Sequence, residues 1–100
     1  MDRKNGEMGS QKSKSLDQVR KELKELLVVN LALEDITPEE IRNDEILFGE
    51  GLGLDSLDAV EIVVLVERNY GLEIANEEQA REILQSMDTL ARWVWENLKQ

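Results

Sequence analysis

From Ser56 to Tyr70 the chain runs without glycine or proline and is dense in aliphatic residues, with Gly49, Gly51 and Gly53 just before it and Gly71 just after. Such a run is helical, and Gly71 occupies the position past the last turn where a left-handed residue closes a helix. At about 100° per residue, its apolar positions cover more of the circumference than one buried stripe requires. Ala59, Ile62, Val63, Val66 and Tyr70 cluster on one side as core candidates, whereas Val60 and Val64 form a second sector nearer Ser56 and Glu67. Two accounts fit that second sector. Either the helix is central and buried on both sides, or an apolar patch rimmed by Asp58, Glu61 and Glu67 stays exposed to dock a basic partner.

The rest of the chain is also helical in pattern. Ser15 offers an N-cap with Gln18 three residues on, and Leu16, Val19, Leu23, Leu26, Leu27 and Asn30 follow at helical spacing, giving a first helix that ends near Leu31. A long connection comes next. In it Thr37-Pro38-Glu39-Glu40 has the cap, first-position proline and closing glutamate of a single helical turn, and Leu47 and Phe48 are candidate anchors to the core. Asn76 can cap a third helix bearing Ala80, Ile83, Leu84 and Met87, and Asp88 or Thr89 a fourth bearing Leu90, Trp93, Val94 and Leu98. Trp93 falls on the apolar face of that fourth helix and Trp95 does not. Residues 1–14 have no periodic apolar positions and are read as a disordered tail, leaving 15–100 as the one folded domain. The expected class is all-α: four helices around a core built mainly from Leu, Ile and Val, since only 4% of the chain is aromatic.

Composition excludes several kinds of function. With no cysteine and no histidine, the chain lacks disulfides, thiolate nucleophiles, the usual general base near neutral pH and the commonest metal ligand. Hydrolytic triads and zinc sites are therefore hard to build, no metal is expected, and the chain is read as a non-enzyme. Gly53 and Ser56 lack the Gly-x-Ser-x-Gly spacing of a nucleophile elbow, because Leu54 and Asp58 stand at the glycine positions. The formal net charge is −10, and the basic residues of the first fifteen positions make the remainder more acidic still. Such a surface repels nucleic acid and anionic membranes and attracts basic protein patches. The longest apolar run, Ile62 to Val66, is far short of a membrane span, so a cytoplasmic monomer without membrane insertion is expected.

Phe48-Gly49-Glu50-Gly51-Leu52-Gly53-Leu54-Asp55-Ser56-Leu57-Asp58-Ala59-Val60-Glu61 resembles the attachment-site region of bacterial acyl carrier proteins. The string follows a long loop and opens a helix, and the resemblance extends over roughly Leu16 to Leu98. It implies a four-helix bundle of the acyl carrier type. It also implies that Ser56 receives 4'-phosphopantetheine from coenzyme A through a separate phosphopantetheinyl transferase, and that the arm's thiol holds acyl groups for acyl-transferring and acyl-modifying synthases with basic docking patches. Asp55 is then the acidic neighbour used in transferase recognition. Leu57, Asp58, Val60, Glu61, Val64 and Glu67 correspond to the partner-binding positions.

The same resemblance implies a core that can open for an acyl chain, with Val63, Val66, Leu72 and Ile74 as candidate lining. Read from the residues alone, Asp55 and Ser56 serve equally well as an ordinary N-cap, with the second apolar sector as a site for a partner helix and no prosthetic group at all. A serine at a helix start would, for its part, place a phosphodiester near backbone N–H donors. The sequence departs from the family pattern at Gly51, Arg68 and Ala75. The stretch from Ile74 to Leu90 is longer than the match leads one to expect, which points to an extended third helix of about three turns. A bulk fatty-acid carrier, a specialised acyl carrier and a polyketide, peptidyl or D-alanyl carrier all share the attachment motif, and these departures favour the specialised one.

Overall fold

The computed structural model describes residues 14–98, so the reading of residues 1–13 as a tail lies outside the described residues. Four helices are present: α1 (Leu16–Asn30), α2 (Ser56–Tyr70), α3 (Glu77–Ile83) and α4 (Met87–Leu98). A single 3-10 turn, Pro38–Glu40, interrupts the long α1–α2 connection. There is no strand among the described residues, only two isolated bridges, Ile46 with Ser86 and Phe48 with Leu54.

The helix ends follow local chemistry. The Ser15 hydroxyl accepts from the Gln18 N–H at 3.1 Å, and α1 buries Val19, Leu23 and Leu27 on one face. It closes when the Leu33 N–H reaches back to the Val28 carbonyl at 3.1 Å, with Ala32 left-handed at φ 54° between them. Gly71 closes α2 in the left-handed region at φ 69°, its N–H donating to the Glu67 carbonyl at 2.9 Å. In the 3-10 turn the Thr37 N–H donates to the Glu40 carboxylate at 3.2 Å.

The last helix is the hub. Met87, Leu90, Ala91 and Val94 are wholly buried, and α4 packs on all three other helices, most extensively on α1. The helix that reads as central in sequence, α2, buries Ile62, Leu65, Val66 and Tyr70 and leaves its other side in solvent. Leu65 is a core residue that the two-sector pattern passes over, lying between the sectors.

The third helix is not extended. It has seven residues and stops at Ile83, because the backbone just beyond it is used elsewhere. The Leu47 N–H donates to the Gln85 carbonyl at 3.4 Å, and the Met87 N–H donates to the Glu45 carbonyl at 2.8 Å. Groups that would have continued α3 are thus paired to the long loop. Met87 accordingly belongs to α4. That helix is capped by neither Asp88 nor Thr89 alone. The Ser86 hydroxyl accepts from the Thr89 N–H at 3.1 Å while the Thr89 hydroxyl accepts from the Ser86 N–H at 3.0 Å, a reciprocal cap two residues before Asp88.

Two polar clusters fasten α1 to its neighbours. At its start, Lys14 pairs with Glu22 at 2.8 Å, Glu22 accepts from the Tyr70 hydroxyl at 2.9 Å, and the Trp95 indole N–H donates to the Lys14 carbonyl at 3.0 Å. Lys14 is therefore held by the bundle, and Trp95 is half-buried with its indole at the start of α1. Burial, with the Glu22 carboxylate beside it, pushes the Tyr70 hydroxyl well above its ordinary value.

The second cluster centres on Asp88, which accepts from Arg92 at 2.9 Å and from Arg20 of α1 at 3.1 Å. Arg92, and then Arg20, hold the Asp88 carboxyl below the usual carboxylate range, with partial desolvation opposing them. A depressed folded-state pKa gives stability that is present above the unfolded value, near 4, and is lost as pH falls through the folded one. Asp88→Asn should therefore lower unfolding free energy by up to about 1 kcal/mol at pH 7. In urea titrations the difference from the parent should shrink as pH drops below about 4 and vanish in stronger acid.

Candidate functional site

The loop that delivers the chain to Ser56 is held by backbone contacts more than by side chains. Leu47 is wholly buried and anchors it, the Leu52 N–H donates to the Ile46 carbonyl at 2.9 Å, and the Leu54 N–H donates to the Leu47 carbonyl at 3.1 Å. Gly51 sits where the loop folds onto Ile46 so closely that a Cβ would overlap the Ile46 carbonyl group. The glycine that departs from the family pattern in sequence is thus a steric requirement of this loop.

Ser56 is the first residue of α2 and is exposed to solvent. Asp55 is its N-cap: one carboxylate oxygen accepts from the Leu57 N–H at 3.0 Å and from the Asp58 N–H at 3.1 Å. Asp58 answers by accepting from the Asp55 N–H at 3.0 Å, completing a capping box. This geometry fixes the backbone from which the Ser56 side chain leaves the helix. It also narrows which helix-end donors a phosphodiester here could use, because the Leu57 and Asp58 amides are taken by Asp55 and the Ala59 amide by the Asp55 carbonyl at 3.1 Å, whereas the Ser56 N–H is not part of the cap.

The second apolar sector of α2 is exposed. Leu57 is 77%, Val60 61% and Val64 36% accessible, so the account in which both sides of α2 are buried does not hold. Glu67 is exposed beside them and Glu61 half-exposed, while Arg68 is exposed on the same helix. These apolar side chains lie on the face that begins at Ser56, with carboxylates around them. Asp55 and Asp58 lie at the same end, but their carboxylates already hold the helix start.

Beside Ser56, between α2 and α3, lies a cleft of about 680 Å³. Phe48, Leu54, Ala59, Val63, Ile74 and Leu84 give it an apolar interior, and Asp55, Ser56, Asn76, Glu77 and Arg81 its polar lining. Of the four residues expected to line an acyl-chain space, Val63 and Ile74 do so. Val66 is instead wholly inside the core, and Leu72 is half-buried outside the lining. Phe48, Ala59 and Leu84 line it as well. Their signal in sequence is weak, since each position also fits ordinary packing.

An exposed serine hydroxyl at a fixed helix start, with an apolar cleft beside it, suits a covalent arm ending in an apolar load. Among the described residues no cluster of acidic side chains is placed to hold a metal ion, and no helix is long and apolar enough to cross a membrane.

Comparison with known proteins agrees with this geometry. Residues 17–94 match the family model described as a phosphopantetheine attachment site. The acyl carrier protein of Wolinella succinogenes is 42% identical over 57 residues, which is 57% of this chain and 70% of that protein. Those of a Sulfurovum species and of Nitratidesulfovibrio vulgaris are 37% and 38% identical over 57 and 56 residues, each alignment covering 71% of the relative.

The loop geometry carries a direct test. Gly51→Ala should destabilise the fold by about 1–3 kcal/mol, because the added methyl must displace the Ile46 carbonyl. Urea unfolding measures the loss, and near-neutral behaviour would mean that the loop re-forms around the methyl.

Proposed function

Because this chain belongs to the acyl carrier proteins of the phosphopantetheine attachment family, we propose that Ser56 is its attachment residue and that the exposed face of α2 is where its partner enzymes dock. A protein of this family carries its load and leaves catalysis to others. Phosphopantetheine joined to the Ser56 oxygen supplies a thiol, which this cysteine-free chain otherwise lacks, for holding acyl groups as thioesters. In the loading reaction the Ser56 oxygen bonds to phosphorus, the hydroxyl proton leaves, and the nucleotide half of coenzyme A departs. The single observation that carries the assignment is the exposed Ser56 hydroxyl, set by the Asp55–Asp58 box at the mouth of an apolar cleft.

Each element of the chain has a role in this reading. Asp55 and Asp58 hold the helix start, so their first contribution to recognition is to orient Ser56. Leu57, Val60 and Val64 supply the apolar contact. Glu61 and Glu67, whose carboxylates are not engaged in the cap, supply most of the charge that draws a basic patch. Val63, Ile74 and the other residues of the cleft shelter part of the load. The partners are a phosphopantetheinyl transferase and acyl-transferring or acyl-modifying synthases of fatty-acid or related specialised acyl synthesis.

Incubation with coenzyme A and a broad-specificity phosphopantetheinyl transferase should add one phosphopantetheine to the protein and none to Ser56→Ala, read by intact mass with fragmentation. Absence of any adduct, with a control carrier modified in the same tube, would leave the exposed α2 face as a docking module without a prosthetic group.

The docking face is tested separately. Glu61→Lys should lower kcat/KM for transferase loading about threefold or more at low ionic strength, with the gap closing as salt is raised. A deficit that ignores salt would place Glu61 outside the charge-steered surface.

A further inference from the structure

The cleft beside Ser56 has an acidic rim and a single cation. Asp55 and Glu77 bring carboxylates to it, and Arg81 is the one cationic residue lining it among the described residues. Arg81 lies one turn along α3 from Glu77, at 3.6 Å from its carboxylate, and both side chains are largely in water. A pair of that kind contributes little and exchanges readily for a better one.

Several of the polar groups near Ser56 are already committed. The amides of Leu57, Asp58 and Ala59 are taken by Asp55, and the Asn76 side-chain oxygen caps α3 by accepting from the Gln79 N–H at 2.8 Å. An anion brought into this cleft therefore meets few helix-end donors and no second cation among the lining residues. What it meets is a planar guanidinium whose present partner is loosely held.

We infer that Arg81 is the anion-pairing residue of the cleft, taking a negatively charged oxygen group presented either by the phosphodiester at Ser56 or by a carboxylate at the far end of the acyl load. This rests on the attachment reading above. In the first case Arg81 leans the arm toward α3 and so sets its direction across the cleft. In the second it gives this carrier a preference for dicarboxylic over plain alkyl loads, since an alkyl terminus gains nothing from a guanidinium at the rim of an apolar space.

The test uses full-length protein with the arm in place, verified first by intact mass. An unmodified protein would count against the attachment reading, whereas a loaded protein indifferent to Arg81 counts against this one. Three proteins are compared: the parent, Arg81→Gln and Glu77→Gln. The phosphodiester source is read by the 31P resonance of the unacylated form. Arg81→Gln should move it, and Glu77→Gln should move it the other way by freeing the guanidinium.

The load source is read by attaching decanoyl or its ω-carboxy counterpart and timing thioester cleavage by hydroxylamine. The parent should protect the ω-carboxy form about two- to fivefold better than the alkyl form. Arg81→Gln should abolish that ratio and Glu77→Gln should raise it. Either response assigns the anion to its source. If neither the resonance nor the ratio depends on Arg81, the proposal is overturned. It is equally overturned if Glu77→Gln reproduces the effect of Arg81→Gln, because the hold of the ion pair on α3 would then be what is measured.

Discussion

Two backbone hydrogen bonds, from the Met87 N–H to the Glu45 carbonyl and from the Leu47 N–H to the Gln85 carbonyl, tie the long α1–α2 loop to the junction between α3 and α4. Much else depends on that tie. It ends α3 after seven residues, sets the start of α4 where Ser86 and Thr89 can cap each other, and seats Leu47 in the core. Since the same loop runs on to Asp55, the tie also positions the start of α2 relative to α3, and so the two walls of the cleft. Buried backbone groups must be paired. Here the pairing is across the chain, between segments about forty residues apart.

What was legible in the sequence is what depends on neighbours along the chain. Both ends of α2, the Ser15 cap, the turn at Pro38 and the Asn76 cap are each written in a few adjacent residues, because capping is local hydrogen bonding. The segment from Gly49 to Ser56 was legible for the same reason: glycines, an acidic cap and a serine stand in order. The length of α3 was not, since its helical pattern continues through Met87 while its backbone is claimed by a distant loop. Nor was the position of α4 as hub, which follows from how all four apolar faces converge. Gly51 shows the same limit. Its residue type is visible, but the Ile46 carbonyl that forbids a side chain there is brought in only by folding.

The acidity of the chain acts unevenly. Near α1 three carboxylates are matched: Glu22 by Lys14, Asp17 by Arg20, and Asp88 by Arg20 and Arg92. On the α2 face, Asp55 and Asp58 are absorbed into a cap and no cation pairs with Glu61 or Glu67 among the described residues. These two surfaces therefore differ in kind. One uses charge to fasten helices together, and the other leaves charge beside exposed Leu57, Val60 and Val64, where complementary charge speeds encounter and apolar contact slows departure.

The brevity of α3 bears on motion. A helix of two turns lies well below the length at which a helix persists by its own hydrogen bonds, so α3 stands only because Ile83 and Leu84 are anchored in the core. The far wall of the cleft is thus the least self-sufficient helix of the bundle, while α1 and α4 hold each other through their buried faces and the Arg20–Asp88 pair. In the hierarchy of partial openings available to a folded protein, release of α3 stands near the bottom and separation of α1 from α4 near the top. The cleft can then widen by a local excursion, leaving Ser56 and the exposed face of α2 in register throughout.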